Sequence, residues 1–142
     1  MGVRVKIRVE SHHVEVETPA LVNTGFETDE PEILLPARLA ENLGLYPPAE
    51  DSKLEEYSVV GGIAFVIRSS KTVRVKVVVE DRETEPVEAV PVISDRESEV
   101  LISDRLASKL KISIEDPAEG TWRFRDEPLT KERSSEEPKY WI

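Results

Sequence analysis

The sequence predicts an all-β domain with one or two short helices. Apolar residues alternate with charged residues in several short runs, which is the periodicity of half-buried strands. Turn-forming residues separate these runs, and only two segments place leucines four residues apart, as one face of a helix requires. The chain of 142 residues is the length of one domain, and its 39% hydrophobic residues can supply one core.

Alternation and turn chemistry place the elements of the first half. The predicted strands cover residues 3–9, 14–16, 20–22 and 33–35. The first two are joined by Ser11-His12-His13 and predict a hairpin, whereas the third is a buried run that ends in a turn at Asn23. Pro36 fits the first position of a short helix, and Gly44 is placed to cap its end.

The second half repeats this order of strands followed by a short helix. The predicted strands cover residues 57–67, 73–79, 87–93 and 100–102. Gly61-Gly62, in the middle of the first of them, indicates the tip of a hairpin. Pro91 interrupts the third and indicates an edge strand or a bulge. Ser103 is a favourable N-cap for the second helix.

The sequence divides into a domain over residues 1–125 and a charged tail over residues 126–142. Ile112, Ile114, Trp122 and Phe124 are predicted to complete the core. The tail is charged and interrupted by proline, which favours mobility, but it ends in Tyr140-Trp141-Ile142. These last residues either dock, on their own domain or on a partner chain, or fray.

Composition excludes several classes of function. The 19 Lys and Arg residues against 29 Asp and Glu residues give a formal charge of −10, which argues against nucleic acid as a partner. The absence of Cys excludes disulfides and thiolate metal sites. No apolar run is long enough to span a membrane and no signal peptide is recognisable, so the sequence predicts a cytoplasmic protein without a membrane partner. The many mixed charges are typical of thermophile proteins.

Three segments together resemble one protein family. They are Ala20-Leu21-Val22-Asn23-Thr24-Gly25-Phe26, then Ile33-Leu34-Leu35-Pro36, then Leu39-Ala40-Glu41-Asn42-Leu43-Gly44-Leu45. Their order resembles the retropepsin-like (clan AA) aspartic proteases, in which an apolar strand leads into Asp-Thr-Gly or Asp-Ser-Gly and a short helix closes with Leu-Gly-Leu. Residues 59–63 are similar to the glycine-rich flap of that family. The resemblance implies a closed retropepsin-like barrel.

The resemblance implies hydrolysis of peptide bonds by a pair of carboxylates, one from each subunit of a homodimer. Asn23 occupies the place of the catalytic aspartate. Thr24 would bond across the dimer axis, and Gly25 would let the backbone approach closely. A peptide or protein substrate would contact Phe26 and four residues of the flap: Val60, Gly61, Gly62 and Ile63.

Asn23 changes the expected chemistry, because a carboxamide cannot carry the charge or exchange the proton that the reaction needs. The chain is therefore predicted to be inactive, as a natural variant or a silenced mutant. The alternatives are a peptide-binding pseudoprotease and a structural dimerisation module. Other departures from the family are Ser103 in place of glycine, the altered order of residues 103–105, and the longer loop 27–32.

No metal or other cofactor is expected. His12 and His13 are adjacent and are interpreted as surface or turn residues. Glu27, Asp29, Glu30 and Glu32 form an acidic stretch that could bind a divalent cation, but a solvated loop explains it more simply. Asp29 is discounted as a substitute catalytic carboxylate, because nothing in the sequence fixes it at a dimer axis. Asp104 is interpreted as favouring the N-terminus of the second helix.

Overall fold

The computed structural model describes residues 2–142, which form eleven strands and two helices. The strands are β1 (Arg4–Ser11), β2 (Val14–Val22), β3 (Glu32–Pro36), β4 (Lys53–Val59), β5 (Gly62–Arg68), β6 (Val73–Val77), β7 (Val87–Ser94), β8 (Val100–Ile102), β9 (Ile112–Asp116), β10 (Thr121–Phe124) and β11 (Arg133–Ser134). The helices are α1 (Ala37–Asn42) and α2 (Asp104–Lys109). The predicted β fold with two short helices is confirmed.

Six strands close into a barrel. They follow the order β3-β8-β2-β1-β6-β7, and β7 pairs with β3 in parallel register to complete the ring. The predicted hairpin of β1 and β2 forms, with Ser11 opposite Val14. The runs predicted separately at residues 14–16 and 20–22 belong to one continuous strand, β2.

The core fills the barrel with aliphatic side chains. In β1, Val3 just before the strand and then Val5, Ile7 and Val9 alternate with charged residues and are at most 1% exposed. This alternation places one face of the strand against the core and the other against solvent. The helix residues Leu39 and Leu106 are fully buried against the same core.

The β4–β5 hairpin extends the sheet beyond the barrel. It attaches through β5 to β7, so β4 is an outer strand. Val59 pairs with Gly62, and the residues between them form the tip that Gly61-Gly62 predicts. The hairpin is therefore attached to the barrel near its open end, through Ile67 and Arg68 of β5.

Of the two alternatives predicted for Pro91, an edge strand and a bulge, the edge strand is wrong. β7 lies inside the sheet, paired with β3 on one side and with β6 and then β5 on the other. Pro91 lies where the second side changes from β6, which pairs up to Ala89, to β5, which pairs from Val92. A missing N–H costs no ladder hydrogen bond at that junction, which explains why proline is tolerated.

The two helices begin differently. Ser103 caps α2, because its side chain accepts a hydrogen bond from the N–H of Leu106, as predicted. Pro36 is the N-cap residue of α1 rather than its first helical residue. Each helix has six residues, and no helix within residues 2–142 is long and apolar enough to cross a membrane.

Residues 126–142 run along the domain. β11 pairs with β10 in a second, three-stranded sheet that also contains β9. The N–H of Glu136 donates to the carbonyl of Arg4, and Trp141 packs against the main core. Tyr140 and Ile142, on either side of Trp141, are exposed.

Candidate functional site

Asn23 directly follows β2, whose last residue, Val22, is buried. β2 and β8 are parallel neighbours, with Val22 opposite Ile102, so the turns that follow both strands lie at the same edge of the sheet. The backbone N–H of Asn23 donates to the carbonyl of Ile102 at 3.3 Å, and its carbonyl accepts from Phe26 at 3.0 Å. The backbone of Asn23 is thus fixed by its own turn and by the neighbouring strand.

The side chain of Asn23 closes the turn. Its Oδ1 accepts a hydrogen bond of 3.0 Å from the N–H of Gly25. A Cβ at position 25 would lie 3.3 Å from that oxygen, closer than such atoms ordinarily approach. An aspartate could accept the same bond in the same place, since the two side chains have the same shape.

A cleft of about 1340 Å³ opens beside Asn23. Its walls come from the loop after β2, the β4–β5 hairpin, the loop between β7 and β8, and the start of α2. Asn23, Gly25 and Phe26 line one side, and Val60 at the hairpin tip lines the cleft as well. A cleft of this size can take a stretch of extended peptide.

The cleft has an apolar floor. Leu34 and Val66 line it and, with Val92, form a small buried cluster separate from the barrel core. Phe26 and Tyr57 pack against this cluster, with their ring centroids 5.9 Å apart. The floor can bury apolar side chains of a ligand.

A buried carboxylate joins the hairpin to the barrel. Glu32, the first residue of β3, is 5% exposed. It accepts hydrogen bonds from the hydroxyl of Tyr57 at 2.6 Å and from the guanidinium of Arg68 at 3.0 Å. Burial and the adjacent Glu32 carboxylate raise the pKa of Tyr57 well above its usual range. The prediction that the acidic stretch 27–32 is a solvated loop is therefore wrong for Glu32.

Arg68 is surrounded by carboxylates. Besides Glu32, it bonds to Glu30 and lies 3.7 Å from Glu55. Burial alone would lower the pKa of Arg68, but the hydrogen bond to Glu32 and the nearby negative charges raise it. Arg68 thus carries a positive charge in the wall of the cleft and holds β5 against β3.

The start of α2 supports the loop after β2. The N–H of Asp104 donates to the carbonyl of Phe26 at 3.0 Å, and its carboxylate accepts from the N–H of Thr28 at 3.1 Å. Ser103 accepts from the N–H of Glu32 at 3.1 Å and donates its own N–H to the carbonyl of Glu32. Asp104 therefore positions the loop in addition to lying in the first turn of α2.

The predicted site residues are only partly gathered in this cleft. Asn23, Gly25, Phe26 and Val60 line it. Thr24 is exposed and, within residues 2–142, its side chain has no hydrogen-bond partner, so its proposed bond to a second subunit stays a prediction.

Three residues of the predicted flap lie away from the cleft in this structure. Gly61 and Gly62 form the tip, with φ of +91° and +148° that favour glycine, and neither lines the cleft. Ile63 is 56% exposed and pairs with Ser58. It lies two residues before Phe65 and therefore on the same face of the hairpin, which is the outer face opposite Tyr57 and Val66. The contact of Ile63 with a substrate stays a prediction.

Tyr57 and Arg68 are residues of the site that were not predicted from the sequence, although a signal was present. With Gly61-Gly62 as the tip, the hairpin register places Tyr57 opposite Ala64 and Arg68 opposite Lys53, so both side chains are on one face. The burial of Glu32 could have been suspected because it directly precedes the apolar run Ile33-Leu34-Leu35.

The residues considered for metal binding lie apart. His12 and His13 are exposed in the β1–β2 turn. Within residues 2–142, no group of three or more His, Cys, Asp or Glu side chains is arranged so that it could hold a metal ion. Asp29 lines the cleft and is exposed.

No protein-family model matches the chain, and no curated protein matches it.

Proposed function

We propose that the chain is one subunit of a retropepsin-like aspartic protease in which Asn23 replaces the catalytic aspartate, so that it does not hydrolyse peptide bonds. The observation that carries this proposal is the position of Asn23, which directly follows the barrel strand β2 and lines the cleft together with Val60 of the hairpin tip. Catalytic groups placed in this way are fixed by a rigid scaffold and remain accessible.

The proposed chemistry of the ancestral enzyme needs two carboxylates. When two such groups lie about 3 Å apart, one stays protonated and the other ionised, so the pair can activate water against a peptide carbonyl. One chain supplies one residue at position 23, and the proposal therefore includes a homodimer with a twofold axis beside Asn23. Asparagine at both positions removes the proton donor and the proton acceptor together.

Restoring the carboxylate tests this proposal. We expect Asn23→Asp to cleave a casein or mixed peptide substrate between about pH 3 and 7, with a gain of at least about 10²-fold over the parent chain. Asn23→Ala is the matched control, because it alters the same turn without adding a carboxylate. If Asn23→Asp is folded and dimeric but cleaves no faster than Asn23→Ala, the proteolytic lineage is wrong.

Sedimentation equilibrium tests the homodimer separately. The proposal expects a dimer at micromolar concentration for the parent and for both variants. A strict monomer at high concentration would contradict the two-subunit site, whatever the outcome of the cleavage assay.

A peptide-binding pseudoprotease is the second candidate function. It is favoured by the apolar floor of the cleft, where the partly buried Phe26 and Leu101 remain available to apolar side chains although Asn23 cannot take part in acid–base chemistry. Isothermal titration with a peptide library tests it: binding without turnover supports this candidate. A dimer that binds no peptide would instead leave the third alternative, a structural dimerisation module.

A further inference from the structure

The lining of the cleft carries an excess of negative charge. Its residues include eight carboxylates and three guanidiniums. Glu56 stands opposite Phe65 in the hairpin, and its side chain shares the outer face with Phe65, opposite the face of Tyr57 and Val66 that lines the cleft. Seven carboxylates remain against three guanidiniums, and the excess is larger than any arrangement of ion pairs within the cleft can neutralise.

The excess comes from one part of the wall. Residues 27–32 contribute four carboxylates and Glu55 a fifth, with Arg68 as the cation among them. The other part of the wall carries two carboxylates, from Glu97 and Asp104, and two guanidiniums, from Arg96 and Arg105. The cleft is therefore acidic along the loop after β2 and the adjoining hairpin, and balanced elsewhere.

Two of these carboxylates are free to meet a ligand. Glu27 and Asp29 are exposed, and within residues 2–142 neither makes an ion pair. Glu30, Glu32 and Glu55 are already directed at Arg68, whose guanidinium they approach from three sides. Three carboxylates of the wall are thus neutralised in part by Arg68, whereas Glu27 and Asp29 remain unpaired in the part of the chain that the structure describes. Negative charge in a concave surface attracts a positively charged ligand.

The apolar floor restricts the ligand further. A small cation would leave the partly buried rings of Phe26 and Tyr57 and the side chain of Leu101 facing water, whereas a peptide with apolar and basic residues satisfies both the floor and the wall. An acidic peptide would meet like charges, which disfavours binding.

We propose that the cleft selects extended peptides in which lysine or arginine residues accompany apolar residues, and that Glu27 and Asp29 determine this preference. The inference rests on the proposed function, since it assigns the substrate class of the same cleft. The cleft with its floor is the binding site, and the carboxylates set the specificity.

Three labelled peptides test the proposal by fluorescence anisotropy. All have eight residues with leucine, phenylalanine and valine at four alternate positions, and the other four are lysine, glutamine or glutamate. At low salt we expect the parent chain to bind the lysine peptide at least about tenfold more tightly than the glutamate peptide, with the glutamine peptide between them. The preference should shrink at 1 M salt, where the screening length falls to about 3 Å.

A matched pair of variants separates the cleft from the overall charge of the chain. Glu27→Gln with Asp29→Asn removes two charges from the cleft, and Glu119→Gln with Glu132→Gln removes two exposed charges that do not line it. We expect the first pair to reduce the preference for lysine at least about threefold and the second to leave it almost unchanged.

Each other outcome is decisive. Equal binding of the three peptides overturns the charge preference and leaves the peptide-binding cleft in place. An equal reduction in both variants assigns the preference to the general charge of the surface and also overturns the inference. If the parent binds none of the three peptides, the peptide-binding function fails together with the inference that rests on it.

Discussion

The hydroxyl of Tyr57 donates a hydrogen bond of 2.6 Å to the carboxylate of Glu32, which lies 25 positions earlier in the chain. Tyr57 belongs to the β4–β5 hairpin and Glu32 to β3 of the barrel. The bond therefore holds the hairpin against the barrel at the wall of the cleft, and Arg68 reinforces it from β5.

The first prediction is that Tyr57→Phe loosens the hairpin without unfolding the barrel. The variant keeps the aromatic contact with Phe26 but leaves the buried carboxylate of Glu32 with one donor fewer. We expect the free energy of unfolding to fall by about 1.5–3 kcal/mol, as is typical for a hydrogen bond to a charged group. Chemical denaturation measures this value, and hydrogen exchange should show faster exchange in β4 and β5 than in β1.

Tyr46→Phe is the control for this experiment. Tyr46 is partly buried against the core and, within residues 2–142, its hydroxyl has no hydrogen-bond partner. Its loss should change the free energy of unfolding by less than about 0.5 kcal/mol. If both variants behave alike, or if exchange in the hairpin is unchanged by Tyr57→Phe, the bond does not hold the hairpin.

Local patterns were sufficient to predict most elements of the fold. The alternation in β1, the glycine tip of the β4–β5 hairpin and the Ser103 cap of α2 each depend on residues close in sequence. Closure of the barrel depends on β3 pairing with β7, which is more than 50 positions away. Proximity in sequence does not specify such a pairing, and for that reason the edge-strand alternative for Pro91 was wrong.

The candidate site was harder to predict for the same reason. Asn23 could be placed at a strand end because apolar residues directly precede it. The burial of Glu32 depends on Tyr57 and Arg68, which reach it from two strands of the hairpin. A run of acidic residues in a sequence predicts a solvent-exposed loop unless the residues that pair with its carboxylates are known, because charged side chains are rarely buried without such partners.

The second prediction concerns the docking of the C-terminal segment. The indole N–H of Trp141 donates to the hydroxyl of Thr18 at 3.1 Å, and its backbone N–H donates to Ser98 at 2.7 Å. Because the ring is partly buried against the core, Trp141→Ala should lower the free energy of unfolding by about 2 kcal/mol. Ile142→Ala is the control, since Ile142 is 91% exposed and should contribute little. Equal midpoints for the two variants would show that the segment does not dock in solution.

The third prediction separates a steric effect from a backbone effect at two glycines. Gly120 and Gly44 have φ of +77° and +75°, where a side chain costs about 1 kcal/mol. A Cβ at Gly120 would lie 2.8 Å from the carbonyl oxygen of Gly2, whereas at Gly44 it would have no heavy atom within 4 Å. Gly120→Ala should therefore destabilise the protein by at least about 1 kcal/mol more than Gly44→Ala in urea unfolding. Similar losses at both positions would contradict the close approach of the two chain segments at Gly120.

The last prediction concerns stability in acid. Asp81 accepts two hydrogen bonds from Arg133, at 2.8 and 2.9 Å, and lies 2.7 Å from the ammonium of Lys131. The bonds from Arg133 and then Lys131 lower the pKa of Asp81 below its usual range. Because the folded pKa is the lower one, the stabilisation is complete above the unfolded pKa of about 3.9 and is lost as the pH falls below it.

Thermal unfolding of Asp81→Asn, measured at several pH values, tests whether the stabilisation by Asp81 is lost as the pH falls. The variant should melt below the parent at pH 7, and the difference should stay constant down to about pH 5 and then shrink toward pH 2, because the carboxylate becomes protonated in the unfolded parent while the folded parent still holds it ionised. Glu119→Gln is the control, because Glu119 is exposed and makes no ion pair within residues 2–142, so its difference from the parent should be small at every pH. A difference for Asp81→Asn that is constant with pH would mean that the carboxylate acts through its shape and not its charge, and that Arg133 and Lys131 do not stabilise its ionised form.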